Sequence, residues 1–410
     1  MYDIIKRENR EVIFMKISIT ATTRMARNLE DIASKEEFDE FGGKNAGICY
    51  MAHSFADLLN EPTEKTARRI AQTKNSGHHS VYDHASVSLY LEDIPKALAM
   101  VLNNEKMYTT SEKSARYTKM VLKENEQILF DKWLAIFKDL ITDKYQAKCP
   151  EFFTDKRIEK LAQENARYLT SVFTPTSMEY TVTYRQLNYL YKFLKQESEK
   201  NAENNRFLKL LQPYLKDFCV AIENSVPYLD ADLQNDGKER SLSLFRNPIL
   251  KPEKHFGTIY STYYKGSLAE LAQAQRHRTI HYNITLPEKD EYYTPPILED
   301  RPDLVSEWTK DISSLSTNIP QGTLVNINES GTIEDLILKA KERCCTFAQK
   351  EIQEQTEETL KEYQKALESS DPELANYLSK YTKGSRCTFP DYTCSARCGF
   401  ADGITGKRDI

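Results

Sequence analysis

The residues of this chain that are best suited to chemistry lie in four short runs. The first, residues 77–84, reads Gly-His-His-Ser-Val-Tyr-Asp-His and holds three histidines. Histidines this close could bind zinc, but no neighbouring Cys or Glu completes a ligand spacing, and the run comes at a turn rather than on a helix. Hydrogen bonds from the imidazoles to the loop backbone are the simpler interpretation.

The second run, residues 111–117, reads Ser-Glu-Lys-Ser-Ala-Arg-Tyr. It has no regular period, which predicts a loop over residues 109–117. Its hydroxyls, carboxylate and guanidinium offer both donors and acceptors, and arginine is the planar donor that holds phosphate. Such loops are also common on protein surfaces, so the run alone does not define a site.

The third run, residues 273–280, places two arginines around a histidine at the predicted end of a helix. That helix is expected to begin with Ser267 as its N-cap, in a capping box with Glu270. The positive charge could hold an anionic ligand or lie beside a flavin ring. It could equally be a solvated helix end that complements the helix dipole.

The fourth run, residues 343–352, lies on a long helix predicted over residues 333–367. The spacing of glutamates and lysines supports that helix. Arg343 and Phe347 are four residues apart and would share a face. The ordinary interpretation is a packed helix with one arginine at its edge.

The elements that must position these runs follow from the pattern of apolar residues. Val87, Leu89 and Leu91 alternate with serines and a tyrosine, which predicts a half-buried strand over residues 86–92. This strand would come directly after the histidine run. A helix is expected over residues 180–194.

The bulk properties limit the class of protein. The chain has 410 residues, of which 40% are hydrophobic and 29% are charged, as in a globular protein. Its formal net charge of -5 argues against a general nucleic-acid binder. No apolar run is long enough to span a bilayer, and no signal peptide opens the chain, so we expect a cytoplasmic protein with no membrane partner.

The cysteines suggest a metal site. Eight cysteines in a chain of this length do not make a disulfide scaffold. Cys387, Cys394 and Cys398 crowd the C-terminus and suggest a zinc or iron–sulfur site, for which Cys344 or Cys345 could supply a fourth ligand. Free thiols in an ordered tail are the alternative.

Taken together, the four runs resemble the flavin-dependent thymidylate synthase family. That family has a Gly-His-x-Ser/Thr-x-x-Glu-His segment before a strand, an Arg-His-Arg helix end, a Glu-x-Ser-x-Arg-Tyr loop and an Ala-Gln-x-Glu-Ile helix segment. Residues 77–84 match the first segment, with Asp83 in place of Glu, and residues 112–117 match the loop. Thr183 replaces a family Asn, and Phe347 replaces a family His.

The matching segments are divided between the two halves of the chain. The first half lacks the Arg-His-Arg segment and reads Asn-Asn-Glu-Lys at residues 103–106, whereas the second half has Arg-His-Arg and lacks the Ser-x-Arg loop. The resemblance therefore implies two diverged, fused copies that kept different parts.

The resemblance also implies a fold and an assembly. We expect an α+β fold with a mixed sheet and long helices in each copy. The first copy would span residues 1–225, the second residues 226–375, and a cysteine-containing tail residues 376–410. Since family enzymes are tetramers whose sites draw on several subunits, a homodimer of the fused chain would give the equivalent four-copy assembly.

The resemblance further implies which side chains act. The nucleotide substrate would be bound by Gln273, Glu112, Ser114, Arg116, Arg167 and Arg343. The flavin, FAD, would be bound by His78, Ser80, Arg185, Arg276, His277, Arg278 and Thr279. The catalytic groups would be Ser114, Arg276 and Arg278. Ser114 would lie beside the pyrimidine rather than act as a covalent nucleophile, because no adjacent base is visible to activate it.

The reaction that the resemblance implies is the reductive methylation of dUMP to dTMP. Methylenetetrahydrofolate would supply the carbon, and NADPH would reduce the FAD. One alternative is a flavin enzyme that modifies another pyrimidine nucleotide, for example by hydroxymethylation. The other is a non-catalytic nucleotide-binding remnant, since decay would also remove a motif from one copy.

Overall fold

The computed structural model describes residues 15–25, 30–31, 34–50, 54–116, 118, 120–234, 244, 255–256, 259–394, 398, 400 and 408–410. Helices and sheets both occur in this part of the chain, so the predicted α+β class is confirmed. None of its helices is long and apolar enough to cross a membrane.

The strands of the described residues, in chain order, are β1 Lys16–Thr22, β2 Arg24–Met25, β3 Glu30–Asp31, β4 Ser86–Pro95, β5 Thr109–Glu112, β6 Pro175–Thr183, β7 His255–Phe256, β8 Ile259–Ser267, β9 His281–Thr285 and β10 Leu324–Thr332. They form two four-stranded sheets and one short ribbon. All pairs of named neighbours run antiparallel, where a mixed sheet was expected.

The α-helices of the same residues are α1 Lys35–Tyr50, α2 Phe55–Leu59, α3 Thr63–Asn75, α4 Lys96–Leu102, α5 Glu124–Ile141, α6 Asp155–Ala166, α7 Tyr184–Glu199, α8 Arg206–Ser225, α9 Leu268–Ala274, α10 Pro302–Ser314, α11 Ile333–Arg343, α12 Lys350–Leu367 and α13 Pro372–Leu378. Shorter helical turns include His79–Asp83 and Arg167–Leu169.

The chain divides into two compact units that do not coincide with its two halves. The first unit takes the described residues within 1–113 and 175–242, and the second takes those within 114–174 and 243–410. The segment 114–174, with α5 and α6, therefore packs with residues from the second half of the sequence. This division by packing does not test whether the chain consists of two ancestral copies. The predicted copy boundaries therefore stay predictions.

The sheet of the first unit has the order β1-β4-β6-β5. Val87, Leu89 and Leu91 are buried on β4, so the predicted strand is confirmed, and it extends to Pro95. The helix predicted over residues 180–194 is wrong at its start, because residues 175–183 form β6 between β4 and β5. The predicted loop over residues 109–117 is wrong at its start too, since Thr109–Glu112 forms β5.

The sheet of the second unit has the order β7-β8-β10-β9. Along the chain, β8, α9, β9, β10 and α11 follow one another as β4, α4, β5, β6 and α7 do in the first unit. In the first sheet β4 precedes α4 and pairs with β6, and in the second sheet β8 precedes α9 and pairs with β10. Both β6 and β10 lead directly into a helix, α7 and α11 respectively. The two units therefore share a strand order and a chain path.

The long helix predicted over residues 333–367 is wrong. It is two helices, α11 and α12, separated by residues 344–349. Cys344 has a ψ of 55° and Gln349 a ψ of 145°, neither of which is helical. Arg343 and Phe347 consequently do not share the face of one helix. This interruption, called the 344–349 break below, exposes main-chain carbonyl groups that a continuous helix would have bonded internally.

The core of the second unit includes an aromatic cluster beneath α5, α6 and α10. Trp133 and Trp308 are fully buried, with ring centroids 4.9 Å apart at an interplanar angle of 89°. Such edge-to-face contact adds to the free energy gained by burial alone. Ile410, at the far end of the chain, is 2% exposed and belongs to the same cluster.

Gly266 on β8 provides a test of this packing. A methyl group there would lie 1.9 Å from Glu270 Oε2, and Glu270 is fully buried, so its carboxylate has little room to withdraw. We expect Gly266→Ala to lower the free energy of unfolding by about 1–3 kcal/mol. Tryptophan fluorescence in a urea titration would measure it, because both tryptophans of the chain lie in the second unit.

Gly331→Ala on β10 is the matched control, since its added methyl group would have its nearest neighbour at 3.4 Å, an ordinary contact. Equal losses of stability in the two variants would contradict the predicted clash.

Candidate functional site

The candidate site in the second unit begins at α9. Ser267 caps this helix, with its hydroxyl accepting a hydrogen bond from the Glu270 main-chain N at 3.0 Å, so the predicted N-cap is confirmed. The predicted capping box is wrong, because the Ser267 main-chain N donates to Glu351 instead of Glu270. The helix ends at Ala274, and the Arg-His-Arg segment follows in a turn. Within that segment Arg276 is half-buried and His277 buried, whereas Arg278 and Thr279 are exposed.

Arg343, at the end of α11, is bonded to this turn. Its Nε donates to His277 Nε2 at 2.8 Å, and its Nη2 lies 3.4 Å from the main-chain oxygen of Gln273. Burial lowers the pKa of His277 to about 2, and the positive charges of Arg343 and Lys339 add to the effect. The imidazole is therefore neutral at physiological pH and accepts a proton donor at Nε2.

Positive charge is concentrated around Arg343. Burial lowers the pKa of its guanidinium, Glu342 opposes that shift, and the charges of Arg116 and Arg276 lower it further. Arg116 and Arg276 are thus each near enough to repel Arg343, and all three side chains are half-buried. An anion with several oxygens, such as a phosphate group, would relieve that repulsion.

Arg116 comes from the loop that the sequence places in the first half. Its Nε donates to Glu164 Oε2 on α6 at 2.9 Å, and its Nη2 donates to the main-chain oxygen of Phe347 at 2.8 Å. Its main-chain N lies 3.3 Å from Ser114 Oγ. Tyr117, which completes the family's loop pattern, lies outside the described residues. The structure therefore places Ser114 and Arg116 in the same unit as the third and fourth runs.

Gln349 links three elements of the second unit, and we did not predict it as a site residue. Its side-chain oxygen accepts hydrogen bonds from Arg167 and Gln273, and its side-chain nitrogen donates to the Tyr168 hydroxyl. All four side chains are buried. Because the guanidinium can only donate, the orientation of the Gln349 amide, and then that of Gln273, is determined by the network.

Glu351 was also missed as a functional residue. Its Oε1 accepts from the Ser267 main-chain N at 2.8 Å, and its Oε2 accepts from the Ser267 hydroxyl at 2.6 Å and from the Tyr168 hydroxyl at 2.8 Å. Both Gln349 and Glu351 belong to the Ala-Gln-x-Glu-Ile segment that we matched to the family. Their positions in that segment were the available signal.

The remaining predicted residues lie in the first unit. His78 and Ser80 are at the turn before β4, His78 half-buried and Ser80 exposed. Glu112 accepts hydrogen bonds from Lys96 and from Asn103 Nδ2, the latter at 3.3 Å. Arg185 forms an ion pair with Asp83. Their predicted roles in binding FAD and nucleotide stay predictions.

Two departures from the family pattern are in contact with each other. Asp83 Oδ1 accepts a hydrogen bond from the Thr183 hydroxyl at 2.7 Å, and its Oδ2 lies 2.6 Å from Arg185 Nη1. Asp83 stands where the family has Glu, and Thr183 where it has Asn. The shorter carboxylate and the hydroxyl therefore form one hydrogen-bonded group at the start of α7.

The C-terminal cysteines are free thiols in this structure. Burial raises the pKa of the Cys387 thiol, and the thiols of Cys394, Cys398 and Cys345 add to the rise, so these groups lie near enough to interact. No set of three or more His, Cys, Asp or Glu within the described ranges has the arrangement of a metal site. The predicted metal site therefore stays a prediction.

The buried histidine makes stability depend on pH. An unfolded His277 would bind a proton near pH 6.5, whereas the folded one has a pKa of about 2. Its contribution to stability is thus complete above pH 6.5 and falls as the pH drops from there towards 2. We expect a loss of about 1 kcal/mol in unfolding free energy between pH 7.5 and 5.5 from this group alone.

Urea titrations at the two pH values would measure that loss. His277→Gln keeps a hydrogen-bond acceptor for Arg343 and should reduce the loss, whereas His281→Gln, at an exposed position, should leave it unchanged. An identical pH dependence in wild type and His277→Gln would contradict the assignment.

Part of the chain matches one family of known proteins. Residues 34–206 match the family model described as thymidylate synthase complementing protein. A search of curated proteins finds no match. The segment 273–278 and the residues around Gln349 lie beyond the part that the family model matches.

Solved structures give distant similarities. A ThyX from Helicobacter pylori with FAD and dUMP is 14% identical, with 54% of this chain and 99% of that chain covered and a TM-score of 0.31. A UMP/dUMP methylase, PolB from Streptomyces cacaoi, bound with 5-Br dUMP, is 15% identical, with 52% of this chain and 95% of that chain covered and a TM-score of 0.30. Because these values are low, the site is described from the residues of this chain alone.

The family match covers the histidine run, the loop with Ser114 and Arg116, and Arg167 and Arg185. These are the first-half residues on which the sequence resemblance depends. Over residues 34–206, less than half of its length, the chain therefore resembles the thymidylate synthase complementing protein family.

Proposed function

We propose that this protein converts dUMP to dTMP by FAD-dependent methylation, with methylenetetrahydrofolate as the carbon donor and NADPH as the reductant of FAD. When bound and reduced, FAD would supply the hydride that completes the transferred methyl group. The observation that carries the proposal is the concentration of guanidinium groups around Arg343.

The cluster suits a phosphate-bearing ligand because of the cost of burying like charges. Arg343 and Arg167 both have pKa values lowered mainly by burial; Glu342 and Glu164, respectively, oppose that shift, and the charge of Arg116 lowers each pKa further. A phosphate dianion would offset this repulsion and accept several N–H donors at once. Both dUMP and the pyrophosphate of FAD carry such groups.

Two buried polar atoms suit a ligand that has both hydrogen-bond acceptors and hydrogen-bond donors. Arg167 Nε and Gln273 Oε1 have no hydrogen-bond partner among the described residues, although both side chains are buried. An unpaired buried polar atom costs about 1–3 kcal/mol. The guanidinium N–H suits a phosphate or carbonyl oxygen, and the amide oxygen suits an N–H such as that of a pyrimidine ring.

The roles of individual residues follow from this arrangement. Arg116, Arg167 and Arg343 would hold the nucleotide, and Gln273 would bind its base. Arg276 would place positive charge near the flavin, which stabilises the anionic reduced form. Ser114 would be a hydrogen-bonding neighbour of the pyrimidine. The exposed Arg278 and Thr279 would contact the outer part of the flavin.

The same strand order in both units supports the proposed duplication. A tandem fusion explains why β4, α4, β5, β6 and α7 are repeated as β8, α9, β9, β10 and α11. It also explains how Arg-His-Arg could be kept after α9 and lost after α4. We retain the homodimer as the proposed assembly, for which sedimentation of the purified protein is the test.

Substitution of Arg343 tests the proposed site. The purified protein should show flavin absorbance bands that shift on titration with dUMP. We expect Arg343→Gln to weaken dUMP binding by about 2 kcal/mol or more, roughly 30-fold, since it removes a half-buried charge that would contact the phosphate. Binding of deoxyuridine, which has no phosphate, should change little.

Arg301→Gln is the control, because that arginine is exposed in an ion pair with Asp303 at the start of α10. A colourless protein that takes up no FAD would favour the non-catalytic remnant. A flavoprotein that binds dUMP but forms a product other than dTMP, when given methylenetetrahydrofolate and NADPH, would favour the enzyme acting by another modification.

A metal site at Cys387, Cys394 and Cys398 remains a separate proposal, supported by their spacing in the sequence alone. Elemental analysis of the purified protein should find about one zinc ion or one iron–sulfur cluster per chain. Cys394→Ser should lower that content, and Cys49→Ser, an exposed cysteine of the first unit, should not. A protein without metal would show that this proposal is wrong.

A further inference from the structure

The 344–349 break carries a row of main-chain oxygens that three arginines bind. Arg116 donates to Phe347 O at 2.8 Å, and Arg157 Nη2 lies 3.4 Å from Thr346 O. Arg408 Nη2 donates to Ala348 O at 2.8 Å, and its Nη1 lies 3.3 Å from Cys345 O. Residues 408–410 therefore complete a set of guanidinium contacts along the break.

Arg408 is held firmly in that position. Its side chain is buried, with the residue 7% exposed, and it also donates to Gln353 on α12 and to the main-chain oxygen of Ile410. A guanidinium can bridge two carbonyls and an amide because its donors form a planar fork, which an ammonium group cannot reproduce. Arg408 thus ties the break to the first turn of α12.

The residues beside Arg408 are anchored elsewhere in the same unit. Asp409 accepts hydrogen bonds from Lys144 and Tyr145, just beyond α5, and Ile410 is 2% exposed in the aromatic core cluster. Three consecutive residues are therefore bound to three different parts of the second unit. This anchoring keeps the Arg408 side chain at the break.

We propose that Arg408 is a positioning residue of the anion site, so that its guanidinium group is required for phosphate recognition. The break joins Arg343, which ends α11, to Gln349, which precedes α12. The Gln349 side chain accepts hydrogen bonds from Arg167 and Gln273. Any movement of the break would displace both. The inference rests on the proposed function, because it assumes that the phosphate of a nucleotide is what Arg343 holds.

Variants of Arg408 test this role with dUMP and deoxyuridine as the paired ligands. In Arg408→Gln the dissociation constant of dUMP should rise about tenfold, since a small displacement of a binding group is enough for such a loss. The dissociation constant of deoxyuridine should rise less, because deoxyuridine has no phosphate for Arg343 and depends only on Gln273 at its base. Amide hydrogen exchange should accelerate at residues 344–349 and not in β8 or β10. Should Arg408→Gln not fold, Arg408→Lys keeps the charge and carries the same test.

Asp409→Asn is the matched control in the same segment. The Asn side-chain oxygen still accepts a hydrogen bond from Tyr145, so the segment stays anchored, and the variant should lower stability without changing the ratio of the two dissociation constants. If the wild-type protein binds dUMP and Arg408→Gln and Arg408→Lys both bind it equally well, the positioning role is wrong. If the wild-type protein does not bind dUMP at all, the proposed function itself fails.

Discussion

The candidate site of this protein depends on which donors form hydrogen bonds with the main-chain carbonyl groups of the 344–349 break. A helix that is interrupted leaves main-chain carbonyl groups without their internal hydrogen bonds. Burying these groups without other donors would destabilise the fold. Here the donors include the guanidinium groups of Arg116, Arg157 and Arg408, beside the main-chain N–H groups of Ala348 and Arg386. Of these guanidinium groups, that of Arg116 also lies near enough to Arg343 to lower its pKa, which is the basis of the proposed anion site.

A second layer of polar contacts connects the break to the rest of the second unit. Gln349 joins Arg167, Tyr168 and Gln273, and Glu351 joins Tyr168 to Ser267 at the start of α9. These buried groups are mutually bonded, so each restricts the orientation of its neighbours. The predicted nucleotide-binding residues Arg167 and Gln273 are thereby held in one orientation, each with one buried polar atom that has no partner among the described residues.

The parts of the structure that depend on local patterns were predictable from the sequence. The alternation of Val87, Leu89 and Leu91 indicated a strand, and Ser267 indicated a helix start. The break was not predictable from the glutamates and lysines around it, because the arginines that bind its carbonyls are between 60 and 231 residues away. Gln349 was missed for the same reason: its partners are brought together only by the fold. Arg116 and Arg343 were named from the resemblance, which supplied what local pattern could not.

The most direct measurement is a crystal structure of the protein with FAD and dUMP. The account predicts the dUMP phosphate within hydrogen-bond distance of Arg343, with the pyrimidine ring next to the free amide oxygen of Gln273. Nucleotide density elsewhere, with the guanidinium groups around the break unchanged and without an anion between them, would contradict it.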